Sequence, residues 1–201
     1  MSNSSQEITH SSISPSVEDV LQNLDKLPSE HKNAISQALF KYNEAKLTQD
    51  SRIKFLSFVK KMWPPFIEGP HHRIMAEKFE KVSEGKLKRL IINIAPRHGK
   101  SELTSWLLPA WLLGQNSSRK VISATHTTEF SQRFGRKVRN LIDTNLYKEV
   151  FPEVSLRADS KAAGRWDTNG GGEYFACGVG AAMTGRGADL LIIDDPHPES
   201  A

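Results

Sequence analysis

The sequence predicts an α/β fold, with a mostly parallel β-sheet flanked by helices, and three short apolar segments carry this prediction. The segments are residues 90–94, residues 121–124 and Leu190–Ile193. The first and the last are almost wholly apolar, which is typical of strands buried on both faces of a parallel sheet. Because stretches with helical spacing separate the three segments, we expect strands and helices to alternate along the chain.

The composition is that of an ordinary globular protein. The chain has 201 residues, 38% hydrophobic and 25% charged, which suits one domain with a sizeable core or one domain plus a small helical annex. No apolar run approaches the ~20 residues that span a bilayer, and the polar N-terminus lacks a secretory signal, so we expect a cytoplasmic protein without membrane contact. The net charge of +4 is compatible with a polyanionic partner but does not establish one. Cys177 is the one cysteine, which excludes an internal disulfide and a multi-cysteine zinc site.

The chain is expected to begin with a tail and a helical segment. Residues 1–15 are rich in serine and have no apolar period, so we expect disorder there. Residues 16–50 are predicted to be helical, with a first helix behind a candidate Ser16 cap and a second beginning near Ser29. Residues 51–201 then form the main domain.

The main domain begins with two more predicted helices. One ends at Trp63, before two prolines, and the other covers residues 72–82 with Ile74, Met75 and Phe79 facing inward.

Further along, a helix is expected from about Ser101, and another is capped by Thr127 or Thr128. The run Asn-Gly-Gly-Gly at residues 169–172 lies between two candidate strands and predicts a β-hairpin.

Residues 95–101, Ala-Pro-Arg-His-Gly-Lys-Ser, lie between a predicted strand and a helix, where a Walker A phosphate-binding loop belongs. Backbone N–H groups of such a loop, and the N-terminus of the following helix, attract phosphate. Gly99 lets the backbone approach, Lys100 reaches the β- and γ-phosphates of ATP, and the Ser101 hydroxyl is a ligand for Mg²⁺. The predicted nucleotide-binding residues of this predicted phosphate loop are Arg97, His98, Gly99, Lys100 and Ser101.

Ile94 departs from the usual Walker A pattern, which has a glycine five residues before Gly99. A Gly-Lys-Ser sequence alone arises often by chance. The prediction therefore depends on its context, a buried strand before the loop and an acidic strand end later in the chain.

Asp194 and Asp195 follow the last apolar segment, at the carboxyl end of a predicted strand, where ligands bind in open α/β sheets. This arrangement resembles a Walker B motif, in which Asp194 holds Mg²⁺ and Asp195 orients the attacking water. Many such ATPases have glutamate at the second position, and aspartate is one methylene shorter. The alternative is a solvated acidic turn before Pro196. Together the two motifs predict a P-loop NTPase fold of the ASCE type.

These motifs, in this order, resemble the large subunit of phage terminases over about residues 55–196. The order and spacing of the matching blocks are more specific than any single block. Terminases also tolerate a Walker A motif that lacks its first glycine and contains an arginine. The blocks are Trp63-Pro64 with Gly69-Pro70-His71-His72, Arg97-His98-Gly99-Lys100-Ser101, Phe134-Gly135-Arg136, Thr184-Gly185-Arg186-Gly187 and Ile192-Ile193-Asp194-Asp195-Pro196.

The resemblance implies an ATPase motor that drives double-stranded DNA into an empty capsid in the cytoplasm of a bacterial host. A homo-oligomeric ring of subunits works at the portal protein, usually with a small terminase subunit that marks the DNA. The family also has a C-terminal nuclease domain, which we expect this chain to lack. The chain is therefore expected to be a partial ATPase domain, truncated after the Walker B strand.

In this class, a strand that follows the Walker B strand in sequence lies between it and the strand before the loop. Without that strand, either residues 90–94 pair directly with Leu190–Ile193 or the domain is only marginally stable. We therefore expect weak or no turnover by this chain alone and expect nucleotide binding to survive.

The same resemblance makes Arg186 a candidate arginine finger, which would stabilise charge on a γ-phosphate held by a neighbouring subunit. The alternative is a surface arginine in a glycine-flanked loop. Arg97 is a second candidate, acting within its own subunit. The predicted catalytic residues are Asp195, Arg186 and Arg97, and the predicted metal ligands are Ser101 and Asp194.

Two other groups have two interpretations each. Trp63, Phe66 and His72 fall where such folds often hold the adenine ring, although core packing at a proline turn explains them more simply.

A basic cluster on one helix would suit DNA phosphates, but a solvated helix face is the commoner explanation. The cluster comprises Arg133, Arg136, Lys137 and Arg139.

Two other functions stay open. One is another P-loop nucleic-acid ATPase such as a helicase, although the residues from Asp194 onward lack a DEAD-box signature. The other is a truncated prophage remnant that binds nucleotide or a partner without catalysis.

Overall fold

A computed structural model of the chain describes residues 28–162, 164–181 and 185–197, and it confirms an α/β fold with a sheet flanked by helices. The chain divides into two compact units, residues 1–44 and 45–201. The predicted disordered tail and the helix after Ser16 lie outside the described residues. The helix predicted from Ser29 is present.

The described helices are α1 to α6, together with one π-helical segment. They are α1 (Ser29–Ile53), α2 (Phe55–Met62), α3 (Pro70–Ser83), the π-helical segment (Glu102–Leu107), α4 (Leu108–Gln115), α5 (Thr128–Ile142) and α6 (Asn145–Val150). The strands are β1 (Lys120–Thr125), β2 (Leu156–Lys161), β3 (Arg165–Thr168), β4 (Glu173–Gly178) and β5 (Leu190–Ile193).

The sheet is mixed, so the prediction of a mostly parallel sheet is wrong. Its order is β2-β3-β4-β1-β5, with β1 parallel to both β4 and β5 and with β2, β3 and β4 antiparallel. The antiparallel part includes the predicted hairpin, because the glycine-rich turn reverses the chain between β3 and β4. Asn169 fixes this turn, since its side chain accepts from the Ser155 N–H at 3.0 Å and donates to the Glu153 carbonyl at 2.8 Å.

Residues 90–94 do not form a strand, which contradicts the prediction of a strand buried on both faces. Ile91 is 94% exposed, whereas Leu90 and Ile92 are partly buried against the core. A strand requires a hydrogen-bonding neighbour, and within the described residues β5 pairs with β1 alone. The direct pairing of the segment with β5 therefore does not occur, and β5 is a sheet edge with Leu191 and Ile193 more than half exposed.

Aromatic packing surrounds the helix that follows the predicted phosphate loop. Trp111 on α4 is fully buried, its ring lies 5.5 Å from that of Phe55, and its Nε1–H donates to the Ser51 carbonyl at 2.9 Å. Phe79 packs edge-on against Phe55 at 5.2 Å. Met75 and Phe79 are buried as predicted, but Ile74 is 61% exposed, so its predicted inward orientation is wrong. These contacts anchor the helix whose first turn carries the candidate site.

Within the described part of the chain, no helix is long and apolar enough to cross a membrane.

Candidate functional site

The centre of the candidate site is the contact between Lys100 and the two aspartates after β5. The Lys100 ammonium lies 3.3 Å from Asp194 Oδ1 and also donates to Asp195 Oδ1. Lys100 comes from the start of a helix and the aspartates from a strand end, so tertiary folding alone brings them together. Burial lowers the pKa of Lys100, but the hydrogen bond to Asp195 and the charge of Asp194 outweigh this effect, and that pKa is raised above its ordinary value.

Asp194 is a buried carboxylate, 4% exposed, directly after the carboxyl end of β5. Its Oδ2 accepts from the Ser105 hydroxyl at 2.8 Å, and its N–H donates to the Ala124 carbonyl at 3.0 Å. A buried carboxylate needs such partners because its desolvation is costly. Ser105 is not among the site residues predicted from the sequence, although a small polar residue among the apolar positions of this helix is a usable signal.

Asp195 differs from Asp194 in exposure and backbone conformation. Its side chain is 58% exposed, and its φ of 44° lies in the left-handed region, which aspartate tolerates better than most residues. The Asp195 carbonyl accepts from the His126 N–H at 3.2 Å, which continues the contact between β1 and β5 beyond the strands. Its carboxylate therefore lies at the surface beside the buried one.

The predicted phosphate loop has two residues with positive φ. Arg97 has φ 64° and Gly99 has φ 76°. His98 Nδ1 lies 2.8 Å from the Pro96 carbonyl, and the Leu103 N–H donates to the Gly99 carbonyl at 2.9 Å, which joins the loop to the helix. The loop thus ends at a helix N-terminus, where backbone N–H groups favour anions.

Ser101 is partly buried directly before the π-helical segment Glu102–Leu107. Within a helix, π turns often occur at functional sites. Ser101 and Asp194 supply a hydroxyl and a carboxylate oxygen, the ligand types that Mg²⁺ prefers. Lys100, Ser101 and Asp194 are the residues that would hold a phosphate group with its magnesium, and the described residues contain no cluster of three His, Cys, Asp or Glu that would hold a metal alone.

Trp63, Phe66 and His72 lie together beside the loop. The Trp63 and Phe66 rings are 5.5 Å apart, and the Phe66 and His72 rings are 4.7 Å apart. All three line an open cleft of about 270 Å³, which Arg97, His98 and Gly99 of the predicted phosphate loop also border. Trp63 and Phe66 also pack against the hydrophobic core, so both interpretations of this group stand.

Arg186 lies against β4, with its guanidinium at the start of that strand. Its Nη1 donates to Glu173 Oε1 at 2.5 Å, and its guanidinium lies 4.1 Å from the centre of the Phe175 ring. Glu173 begins β4 and pairs in register with Lys120, at the opposite end of these strands from Asp194. Arg186 is therefore not placed at this chain's own phosphate loop, and its role toward a neighbouring subunit stays a prediction.

The basic helix α5 divides into exposed and paired residues. Arg133 and Arg136 are exposed. Lys137 instead forms an ion pair with Glu102 at 2.6 Å and lies 4.5 Å from the centre of the Trp106 ring. Lys137 therefore helps to hold α5 against the helix that follows the loop.

No protein family, curated protein or solved structure matches this chain in the comparisons.

Proposed function

We propose that this chain binds ATP with Mg²⁺ and hydrolyses it, as the ATPase part of a phage terminase large subunit that packages double-stranded DNA. The observation that carries the proposal is the 3.3 Å approach of the Lys100 ammonium to the Asp194 carboxylate. A cation that binds the terminal phosphates and a carboxylate that holds magnesium must face the same phosphate group. The two residues meet in the way that this chemistry requires.

Each residue of the site then has a role. Lys100 exchanges its carboxylate partners for the β- and γ-phosphates, while Ser101 and Asp194 hold Mg²⁺. When bound, Mg²⁺ neutralises charge on the phosphates. In this proposal, the exposed carboxylate of Asp195 orients a water and accepts its proton, and Arg97 acts on the phosphates from within the loop.

The DNA-packaging part of the proposal rests on the order and spacing of the five sequence blocks. The exposed guanidinium groups of Arg133 and Arg136 supply charge for contact with a polyanion. A packaging motor is expected to hydrolyse ATP faster when linear double-stranded DNA is added. The portal protein, the small terminase subunit and a ring of identical subunits belong to the same proposal.

A second candidate function is nucleotide binding without turnover, as in a truncated prophage remnant. One observation favours it, namely that residues 90–94, the segment before the predicted phosphate loop, lie outside the sheet. Measured turnover decides between the two candidates.

The test compares Lys100→Ala with Lys86→Ala, since Lys86 is a 71% exposed lysine with one acidic partner, Glu84. We expect Lys100→Ala to weaken the binding of a fluorescent ATP analogue with Mg²⁺ by at least about tenfold, or ~1.4 kcal/mol. Lys86→Ala should leave binding unchanged. Equal affinities for the two variants and the wild-type chain would rule out the proposed site.

Asp195→Asn separates binding from hydrolysis. We expect this variant to bind the analogue but to release phosphate more slowly than the wild-type chain, because it has lost its general base. If the wild-type chain binds nucleotide and releases no phosphate, with or without linear DNA, the second candidate function is correct.

A further inference from the structure

His72 is a buried histidine whose two ring nitrogens connect a turn to the predicted phosphate loop. It lies on α3 and is 7% exposed. Nδ1 lies 2.9 Å from the backbone nitrogen of Gly69, and Nε2 lies 3.1 Å from the carbonyl oxygen of His98. The ring therefore spans the distance between the start of α3 and the loop.

These two partners fix the protonation of the ring. A backbone N–H only donates, so Nδ1 must accept from Gly69, and a carbonyl only accepts, so Nε2 must donate to His98. His72 is therefore neutral, with its proton on Nε2. Nε2 of His71, 2.9 Å away, then accepts from the same N–H. Burial lowers the pKa of His72, and the bond to the His98 carbonyl opposes this effect without outweighing it.

The bond to the His98 carbonyl has a geometric consequence for the loop. The described chain contains no cis peptide bond, so the peptide between His98 and Gly99 is planar and trans. In a trans peptide the carbonyl and the N–H point in opposite directions. Holding the His98 carbonyl toward His72 therefore turns the Gly99 N–H away from the protein interior at that point.

The position of Gly99 shows how closely the ring fits. Gly99 has φ 76°, and a Cβ built on it would lie 3.3 Å from His72 Nε2 and 3.4 Å from Leu103 Cδ1. The imidazole thus occupies the space on the inner side of the loop. The outer side is left for the group that the loop binds.

We propose that His72 is a positioning residue, which fixes the orientation of the peptide between His98 and Gly99 so that the Gly99 N–H faces a bound phosphate. The inference rests on the proposed function for its ligand, but the orientation of the peptide does not. His72 does not itself touch the reacting atoms.

The test uses two substitutions that each keep one half of the ring's hydrogen bonding. The amide nitrogen of His72→Gln reaches the place of Nε2 and can donate to His98. The amide oxygen of His72→Asn reaches the place of Nδ1 and can accept from Gly69, but it leaves the His98 carbonyl without its donor. Circular dichroism of both variants checks that they fold.

The first readout needs no nucleotide. Nitrogen-15 spectra of the wild-type chain should show His72 protonated on Nε2 alone, and amide exchange at residues 98–101 should rise in His72→Asn but not in His72→Gln. A proton on Nδ1, or equal exchange in the two variants and the wild type, would overturn the proposal.

The second readout is the affinity for a nonhydrolysable ATP analogue with Mg²⁺. We expect His72→Asn to bind the analogue about tenfold more weakly than His72→Gln. The Asn variant lacks the hydrogen bond to the His98 carbonyl, and the loss of one hydrogen bond can cause a change of this size. Equal weakening in both variants would contradict a specific role of the His98 carbonyl. If the wild-type chain binds no nucleotide while the exchange pattern holds, the proposed function fails and the positioning role stands.

Discussion

At the scale of single residues, the site depends on one buried carboxylate. Asp194 has Ser105 and Lys100 as its side-chain partners in the described structure, and both are close enough to compensate its desolvation. Asp195, next in sequence, is exposed and shares the same lysine. Two adjacent aspartates thus differ in environment, and the two roles proposed for them differ accordingly.

Ser105→Ala removes one of the partners of Asp194. A hydrogen bond to a charged group contributes about 1.5–3 kcal/mol, so we expect the free energy of unfolding to fall by about that amount in urea denaturation. Ser36→Ala, at an exposed position on α1, is the control and should change the unfolding midpoint little. If both variants unfold at the wild-type midpoint, Ser105 does not stabilise the carboxylate.

At the scale of the elements, Glu68 connects the segment between α2 and α3 to both helices through two ion pairs. Glu68 accepts from Lys60 at 2.6 Å and from Arg73, and its side chain is 17% exposed. The hydrogen bond from Lys60, followed by that from Arg73, lowers the pKa of Glu68 from 4.5 to about 2. This group favours the folded state when it is charged.

The pH dependence of stability follows from that lowered pKa. The contribution of Glu68 is present above pH 4.5, the ordinary pKa, and is lost as the pH falls toward 2. We expect the wild-type chain to lose more stability than Glu68→Gln between these two pH values, measured by urea denaturation at each pH. Glu84→Gln, with one lysine partner at a half-exposed position, is the control and should follow the wild-type curve.

The helix α4 shows how a neighbouring element overrides local preference. In an exposed helix, Gly to Ala gains roughly 1 kcal/mol, but a Cβ on Gly114 would lie 2.3 Å from ring carbons of Phe151. We expect Gly114→Ala to lower the free energy of unfolding by about 1–3 kcal/mol. Gly187→Ala, where a Cβ meets nothing within 4 Å, is the matched control. A Gly114→Ala variant as stable as the wild type would mean that Phe151 moves aside at little cost.

At the scale of the whole molecule, Trp111 on α4 connects three helices. Its ring packs against Phe55 of α2, and its Nε1–H donates to the Ser51 carbonyl near the end of α1. Truncation of such a residue costs about 3–5 kcal/mol, out of the ~5–15 kcal/mol that stabilise a typical domain. We expect Trp111→Ala to lose cooperative unfolding or to shift its midpoint far below that of the wild type in circular dichroism. Phe40→Ala, at a 67% exposed aromatic residue, should shift it little.

The sheet edge is the other feature that only the whole molecule reveals. Residues 90–94 and β5 were predicted as two strands of one sheet, yet only β5 is a strand. The segment instead packs Leu90 and Ile92 on the core and exposes Ile91. An apolar run therefore indicated a segment near the core without deciding its hydrogen-bonding partner.

The sequence by itself determined the features that depend on neighbours along the chain. The turn after Thr168 and the cap at Thr127 are local patterns, and the structure contains both. The phosphate loop stays a prediction from the sequence, because a Gly-Lys-Ser sequence alone arises often by chance and gains weight only from the segments before and after it.

The tertiary structure alone decided which distant groups meet. In the folded chain, Lys100 forms an ion pair with Asp194, and the Ser105 hydroxyl donates to the same carboxylate. Arg186 forms an ion pair with Glu173. The tertiary structure also left residues 90–94 outside the sheet, although β5 is an edge strand. The physical reason is the same in each case: burial and hydrogen bonding depend on a partner remote in sequence, and a local pattern carries no information about where that partner lies.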